Sequence, residues 1–264
     1  MLSRFKSLQD YAIRASDGEI GQVVNMLFDD QQWTVRYIIV NTGNWLFSRH
    51  VVISPVSVTE LNGQDRAIQV KLTRHQVEFS PSVDTNLPMT REKEIELANH
   101  YEYMPYWGGA GSWGVDQIPN PSLGGAAAAE RSLEQIERHE QQQAPDIVLP
   151  HLRSAREVIG YRIEARQRTL GHVSDFLIDA QTWALRYLIV DTGTLLPGKQ
   201  LLIAPAWIDT IDWPASLMQV DLEHDQAMHA PAFDPDRPFE RSYEEQLYAH
   251  YGRRPYWSHG HGHE

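Results

Sequence analysis

Apolar residues alternate with others from Trp33 and then fill consecutive positions up to Val40. Trp33, Val35, Tyr37 and Ile39 fall on one side of an extended chain, and Thr34, Arg36, Ile38 and Val40 on the other. A strand apolar on both sides is a central strand. Shorter runs flank it. Leu8–Ala15 alternates imperfectly and reads as a first strand, followed by a turn at Ser16-Asp17-Gly18. Ile20–Phe28 is a second strand, and Gly21 marks a bulge or a close backbone approach. Asp29–Gln32 turns the chain into the central strand. Val51–Ile53, Val56–Leu61 and Ala67–Leu72 complete the set, with Pro55 between the first two and an Asn62-Gly63 hairpin turn between the last two. Short strands at this spacing predict a small β-barrel, whose closure would remove exposed edges. A helical turn at Thr73–Phe79 and a helix at Thr90–Tyr101 follow.

The central stretch occurs twice. Gln31–Gly43 is matched by Gln181–Gly193, and the correspondence runs without a gap from Gly21/Gly171 to Trp107/Trp257. About 30 of the 87 aligned positions are identical. Both copies end in Pro-Tyr-Trp. A repeat this long is a duplicated domain. The predicted fold is mainly β: two tandem small barrels, each followed by a short helical C-terminal extension, joined by a flexible and partly helical linker. The domains are residues 1–107 and 151–258, with a linker at 108–150 and a His/Gly tail at 259–264. In the linker, a Gly-rich start gives way to an Ala-, Glu- and Gln-rich segment, Ala126–Gln143, that reads as a solvated helix. In the second extension, Ser242-Tyr243-Glu244-Glu245 fits a capping box.

Composition narrows the function. The net charge of −12 argues against nonspecific nucleic-acid binding, which needs clustered Lys and Arg. The absence of Cys excludes disulfides, thiolate zinc sites and cysteine nucleophiles. No apolar run is long enough to insert in a membrane, and Met1–Lys6 is no signal peptide, so the expected location is cytoplasmic.

Gly21–Gly43, followed by Val51-Val52-Ile53-Ser54-Pro55, resembles the PRC-barrel family. Gly171-His172-Val173-Ser174-Asp175-Phe176-Leu177-Ile178-Asp179 carries its opening more fully, since Asn25 replaces the acidic residue in the first copy. The family includes the cytoplasmic domain of the photosynthetic reaction-centre H subunit and a domain of a ribosome-maturation factor. The resemblance implies a binding or scaffold module with no shared catalytic set.

The candidate chemistry is sparse. Asp29/Asp179 with Asp84/Asp234 could form paired carboxylates, although Asp29 reads better as a turn residue. Arg36/Arg186 could anchor an anion or a partner carboxylate; the plainer role is packing along an aromatic ring or pairing with Asp29. Tyr106, Trp107, Tyr256 and Trp257 are either exposed partner anchors or plugs on a barrel. His100/His250 reads as a packed histidine. His259, His261 and His263 alternate with glycine and could take a divalent transition metal. No phosphate loop, nucleophile elbow or zinc-protease motif occurs, and no cofactor is expected. The leading expectation is a non-catalytic scaffold that binds a protein partner or self-associates as a homodimer. The alternatives are a small-ligand or metal-binding stress sensor and an accessory factor of a photosynthetic complex.

Overall fold

The computed structural model describes residues 1–84, 88–107, 111–113, 116–120, 151–193, 195 and 197–260, the side chains of 259 and 260 excepted. The predicted linker helix and the histidines of the tail lie outside the described residues and side chains.

The chain divides into two compact units. The first takes in the described residues of Ser3–Glu157 and Ile178–Leu185; the second takes in Val158–Leu177 and the described residues from Arg186 on. A short strand, β1 (Leu2–Arg4), opens the chain. In the first unit, β2 (Ala12–Ala15), β3 (Gly18–Asp29), β4 (Thr34–Asn41), β5 (His50–Ile53), β6 (Val58–Asn62) and β7 (Ala67–Val70) form a sheet in the order β5-β4-β3-β2-β7-β6. The β2–β7 pair is parallel. β8 (Leu152–Ser154) adds to β3, with Leu27 opposite Ser154. The second unit repeats the order with β9 (Arg162–Ala165), β10 (Arg168–Asp179), β11 (Leu185–Asp191), β12 (Gln200–Ile203), β13 (Ile208–Asp212) and β14 (Leu217–Val220). The fold is thus mainly β, in two barrel-like sheets of one topology. Neither sheet is closed among the described residues, which corrects the expectation that closure removes the edges.

Several element boundaries also differ from the pattern reading. Leu8 belongs to a helical turn, α1 (Phe5–Leu8), because Phe5 and Leu8 bury one face together. Trp33 lies outside β4, in the left-handed region at φ 50°. The Asp29 carboxylate accepts from Gln31 N and Gln32 N and tightens the turn, so the chain becomes extended only at Thr34. Trp33 still packs, stacking on Phe28 at 5.2 Å. Pro55–Ser57 forms a single 3-10 turn, so the next strand starts at Val58 rather than Val56. Asn62 shapes the hairpin by accepting from Gln64 N and Asp65 N, and the positive φ falls on Arg66.

The helices close over the sheets. α2 (Arg74–Glu78) starts with a capping box between Thr73 and Gln76. α3 (Arg91–Tyr101) is capped by Thr90, whose hydroxyl accepts from Lys93 N. α4 (Ala155–Val158) and α5 (His224–Met228) repeat α1 and α2 in the second copy. α6 (Arg241–Tyr251) begins one residue before Ser242, with Glu240 as its N-cap. The capping box predicted at Ser242 is therefore absent: that serine is already helical, and its hydroxyl turns back to the Glu240 carboxylate.

Gly21 and Gly171 are fixed by close approach. A Cβ on Gly21 would come within 2.0 Å of the Asn41 carbonyl oxygen, and one on Gly171 within 2.1 Å of that of Asp191. Backbone cannot swing aside as a side-chain tip can. Gly21→Ala is expected to cost about 1–3 kcal/mol in urea unfolding, the usual range for overpacking. A loss below a few tenths would show that the β3–β4 edge yields freely.

Candidate functional site

β4 carries two polar side chains into the interior of the first unit. Arg36 is 0% exposed. Its guanidinium donates to Asp29 Oδ2 at 3.1 Å and Gln32 Oε1 at 2.9 Å, and also to the Ser112 carbonyl. Tyr106 lies against it at 4.0 Å from the ring centroid, and Trp113 at 5.0 Å. Burial works against the Arg36 charge, and Asp29 is the main group restoring it. Asp29 thus serves two roles. One oxygen makes the turn, and the other neutralises the buried cation.

On the next residue, the Tyr37 hydroxyl donates to Glu94 Oε1 at 3.2 Å. Glu94 projects from α3 and is 0% exposed. Arg91, one helical turn earlier, donates to its Oε2 at 2.7 Å. The Tyr106 hydroxyl donates to Oε1 at 2.7 Å. The same hydroxyl lies 3.0 Å from His151 Nε2, which Arg91 also approaches at 3.5 Å. Burial raises the Glu94 pKa, with Arg91 opposing, and depresses that of His151, with Arg91 assisting. Arg91 also lies over the Trp107 ring at 4.0 Å. Tyr106 and Trp107 meet edge to face at 4.9 Å.

The second unit reproduces this arrangement. Tyr187 donates to Glu244 Oε1 at 2.8 Å, Tyr256 to the same oxygen at 3.1 Å, and Arg241 pairs with Oε2 at 2.7 Å. Arg186 lies over Tyr256 at 4.2 Å, and Arg241 over Trp257 at 4.0 Å. There the Tyr256 oxygen receives Arg241 at 3.4 Å.

In each unit the geometry gathers Arg36/Arg186 with Tyr106/Tyr256 and Trp107/Trp257. Each Pro-Tyr-Trp arm is folded onto the buried carboxylate of its own unit, with its rings half-buried against arginines. His100 and His250 each donate to a carbonyl of the preceding helix, Gln76 O at 2.7 Å and Gln226 O at 2.8 Å. Asp234 pairs with Arg237 at 3.2 Å. Among the described residues no group of three His, Asp or Glu is placed to hold a metal ion.

Sequence reading missed Arg91/Arg241 and Glu94/Glu244, the centre of the arrangement. Their signal was present: both pairs are identical across the repeat and sit one helical turn apart. It also missed Ser112 and Trp113, which it placed in the linker. Trp113 is buried, and its indole N–H donates to Thr182 O at 2.9 Å within the first unit.

Residues 2–77 match the family model described as the PRC-barrel domain. The first half of the chain therefore carries a PRC-barrel domain, and the second repeats its strand order, consistent with two copies. No curated protein matches the chain. No helix among the described residues is long and apolar enough to cross a membrane.

Proposed function

We propose that the chain is a cytoplasmic, non-catalytic interaction scaffold built from two PRC-barrel copies. The observation that carries this reading is the fate of its ionisable cluster. Arg91, Glu94, Tyr37 and Tyr106 are spent on one another, and their counterparts are spent identically in the second unit. A duplicated latch of this kind orders an arm; it presents no free acid, base or nucleophile to a substrate.

The first unit also exposes two large aromatic side chains. Phe47 is 96% exposed and Phe79 is 64% exposed. Arg49 joins their segments, donating to Glu78 O at 3.0 Å and also to Ser80 O. Phe47 and Ser48 both hold positive φ, 53° and 55°, which is costly for residues with a Cβ. In the second copy the two aromatic positions are Pro197 and His229, so this surface belongs to the first copy alone. Exposed aromatic side chains are the common anchors of protein interfaces.

The test is affinity capture with the full chain from its native cell, together with a sizing measurement. A specific protein, or a second copy of the chain, is expected to co-purify. Phe47→Ser with Phe79→Ser should reduce recovery about tenfold or more while leaving the circular dichroism unchanged. Undiminished recovery would remove this surface from the proposal. A monomer that captures nothing would remove the scaffold reading itself.

A further inference from the structure

The second unit contains a cavity of about 270 Å³ lined by Phe233, Phe239, Tyr243, Asp234, Arg237 and Glu240, among others. Its rings are held from several directions. Phe233 N donates to Gln200 O at 2.8 Å, which ties its segment to the edge of β12. The Tyr243 hydroxyl donates to Pro231 O at 3.0 Å. Phe239 meets Tyr243 edge to face at 5.7 Å and lies tilted against Phe233 at 6.2 Å.

The repeat supplies an internal comparison. The positions of Phe233, Phe239 and Tyr243 are Val83, Met89 and Lys93 in the first copy. Three separate changes therefore converge on one cavity and make it aromatic. The charge changes as well. Asp84 and Lys93 balance in the first copy, whereas Asp234, Glu240 and Arg237 leave one net negative charge in the second. Arg237 is largely exposed and paired with Asp234 at 3.2 Å, so it stands at the rim. The nearby N-terminus of α6 carries only about half a positive charge, less than the lining supplies in the opposite sense.

Aromatic faces edged by carboxylates attract organic cations, through the ring quadrupole and direct charge attraction together. The volume is below the usual range for drug-sized molecules, so the ligand is a small head group. The geometry points to a binding site for a small organic cation of the quaternary or alkylammonium class in the second PRC-barrel copy. This goes beyond the scaffold reading, and each can fail without the other.

Equilibrium dialysis of the full chain against labelled choline, at constant ionic strength, tests it. One choline is expected per chain, with a dissociation constant in the millimolar range or tighter. The neutral isostere 3,3-dimethylbutan-1-ol should compete about fivefold or more weakly. Phe239→Met and Tyr243→Lys, which restore the first copy's residues, should each weaken binding about tenfold. Glu240→Thr, which leaves a good N-cap residue at the start of α6, should weaken it about two- to fivefold without lowering the melting temperature. No retention of choline, equal competition by the alcohol, or undiminished binding in Phe239→Met or in Glu240→Thr would overturn the assignment.

Discussion

Arg36→Ala is expected to destabilise the first unit by about 3–5 kcal/mol, the cost of removing one partner from a buried charge pair. Asp29 Oδ2 would lose its cation while remaining buried, and Gln32 Oε1 and the Ser112 carbonyl would lose their donor. The Tyr106 ring would lose the guanidinium against its face. Arg186→Ala should cost less, about 1–2 kcal/mol, because Arg186 is only half-buried where it lies over Tyr256. Urea unfolding of the full chain resolves the difference. The double change Arg36→Met with Asp29→Asn separates charge from packing. It fills the volume, keeps an oxygen for Gln31 N and Gln32 N, and should recover most of the loss. A loss below about 1 kcal/mol in Arg36→Ala would mean that the pair is not what fixes this end of β4.

The second large effect is alkaline. Burial raises the pKa of Tyr101 to about 12 and pushes those of Tyr37, Tyr103 and Tyr106 up in the same direction. In the unfolded chain these hydroxyls ionise near pH 10. A group whose pKa is raised by folding contributes stability that is complete below its unfolded value. That stability is lost as the pH climbs toward the folded value. Tyr101 alone accounts for about 2–3 kcal/mol over this window. With three further tyrosines acting in the same sense, the total approaches the whole stability of an ordinary domain, about 5–15 kcal/mol. The expected result is a single step between about pH 10 and pH 12, in which tyrosinate absorbance rises as the far-ultraviolet circular dichroism collapses. A gradual titration of all eleven tyrosines near pH 10, with the dichroism intact, would contradict the buried cluster.

The fate of Arg36 shows how far pattern reading reaches. Its pairing with Asp29 was foreseeable, because Asp29 sits seven residues away across one turn. Its complete burial was not. An arginine in an otherwise apolar strand looks like an edge or surface residue until other segments cover it. Ser112, Trp113 and Tyr106 do so from 70 to 77 positions further along the chain. Trp33 shows the reverse error: alternation made it the first residue of a strand, but a local carboxylate held it in the turn.

The sequence by itself determined the mainly β class, the duplication, the order of most strands and a special backbone role, bulge or close approach, for Gly21. These follow from side-chain periodicity and from identities at a constant spacing of 150 residues. Only the tertiary structure decided that neither sheet closes among the described residues, that β8 pairs with β3, and that Glu94 and Glu244 hold the Pro-Tyr-Trp arms. The physical reason is range. Periodicity records which face of an element is buried, whereas a carboxylate shared by two tyrosines and an arginine is set by segments that only folding brings together.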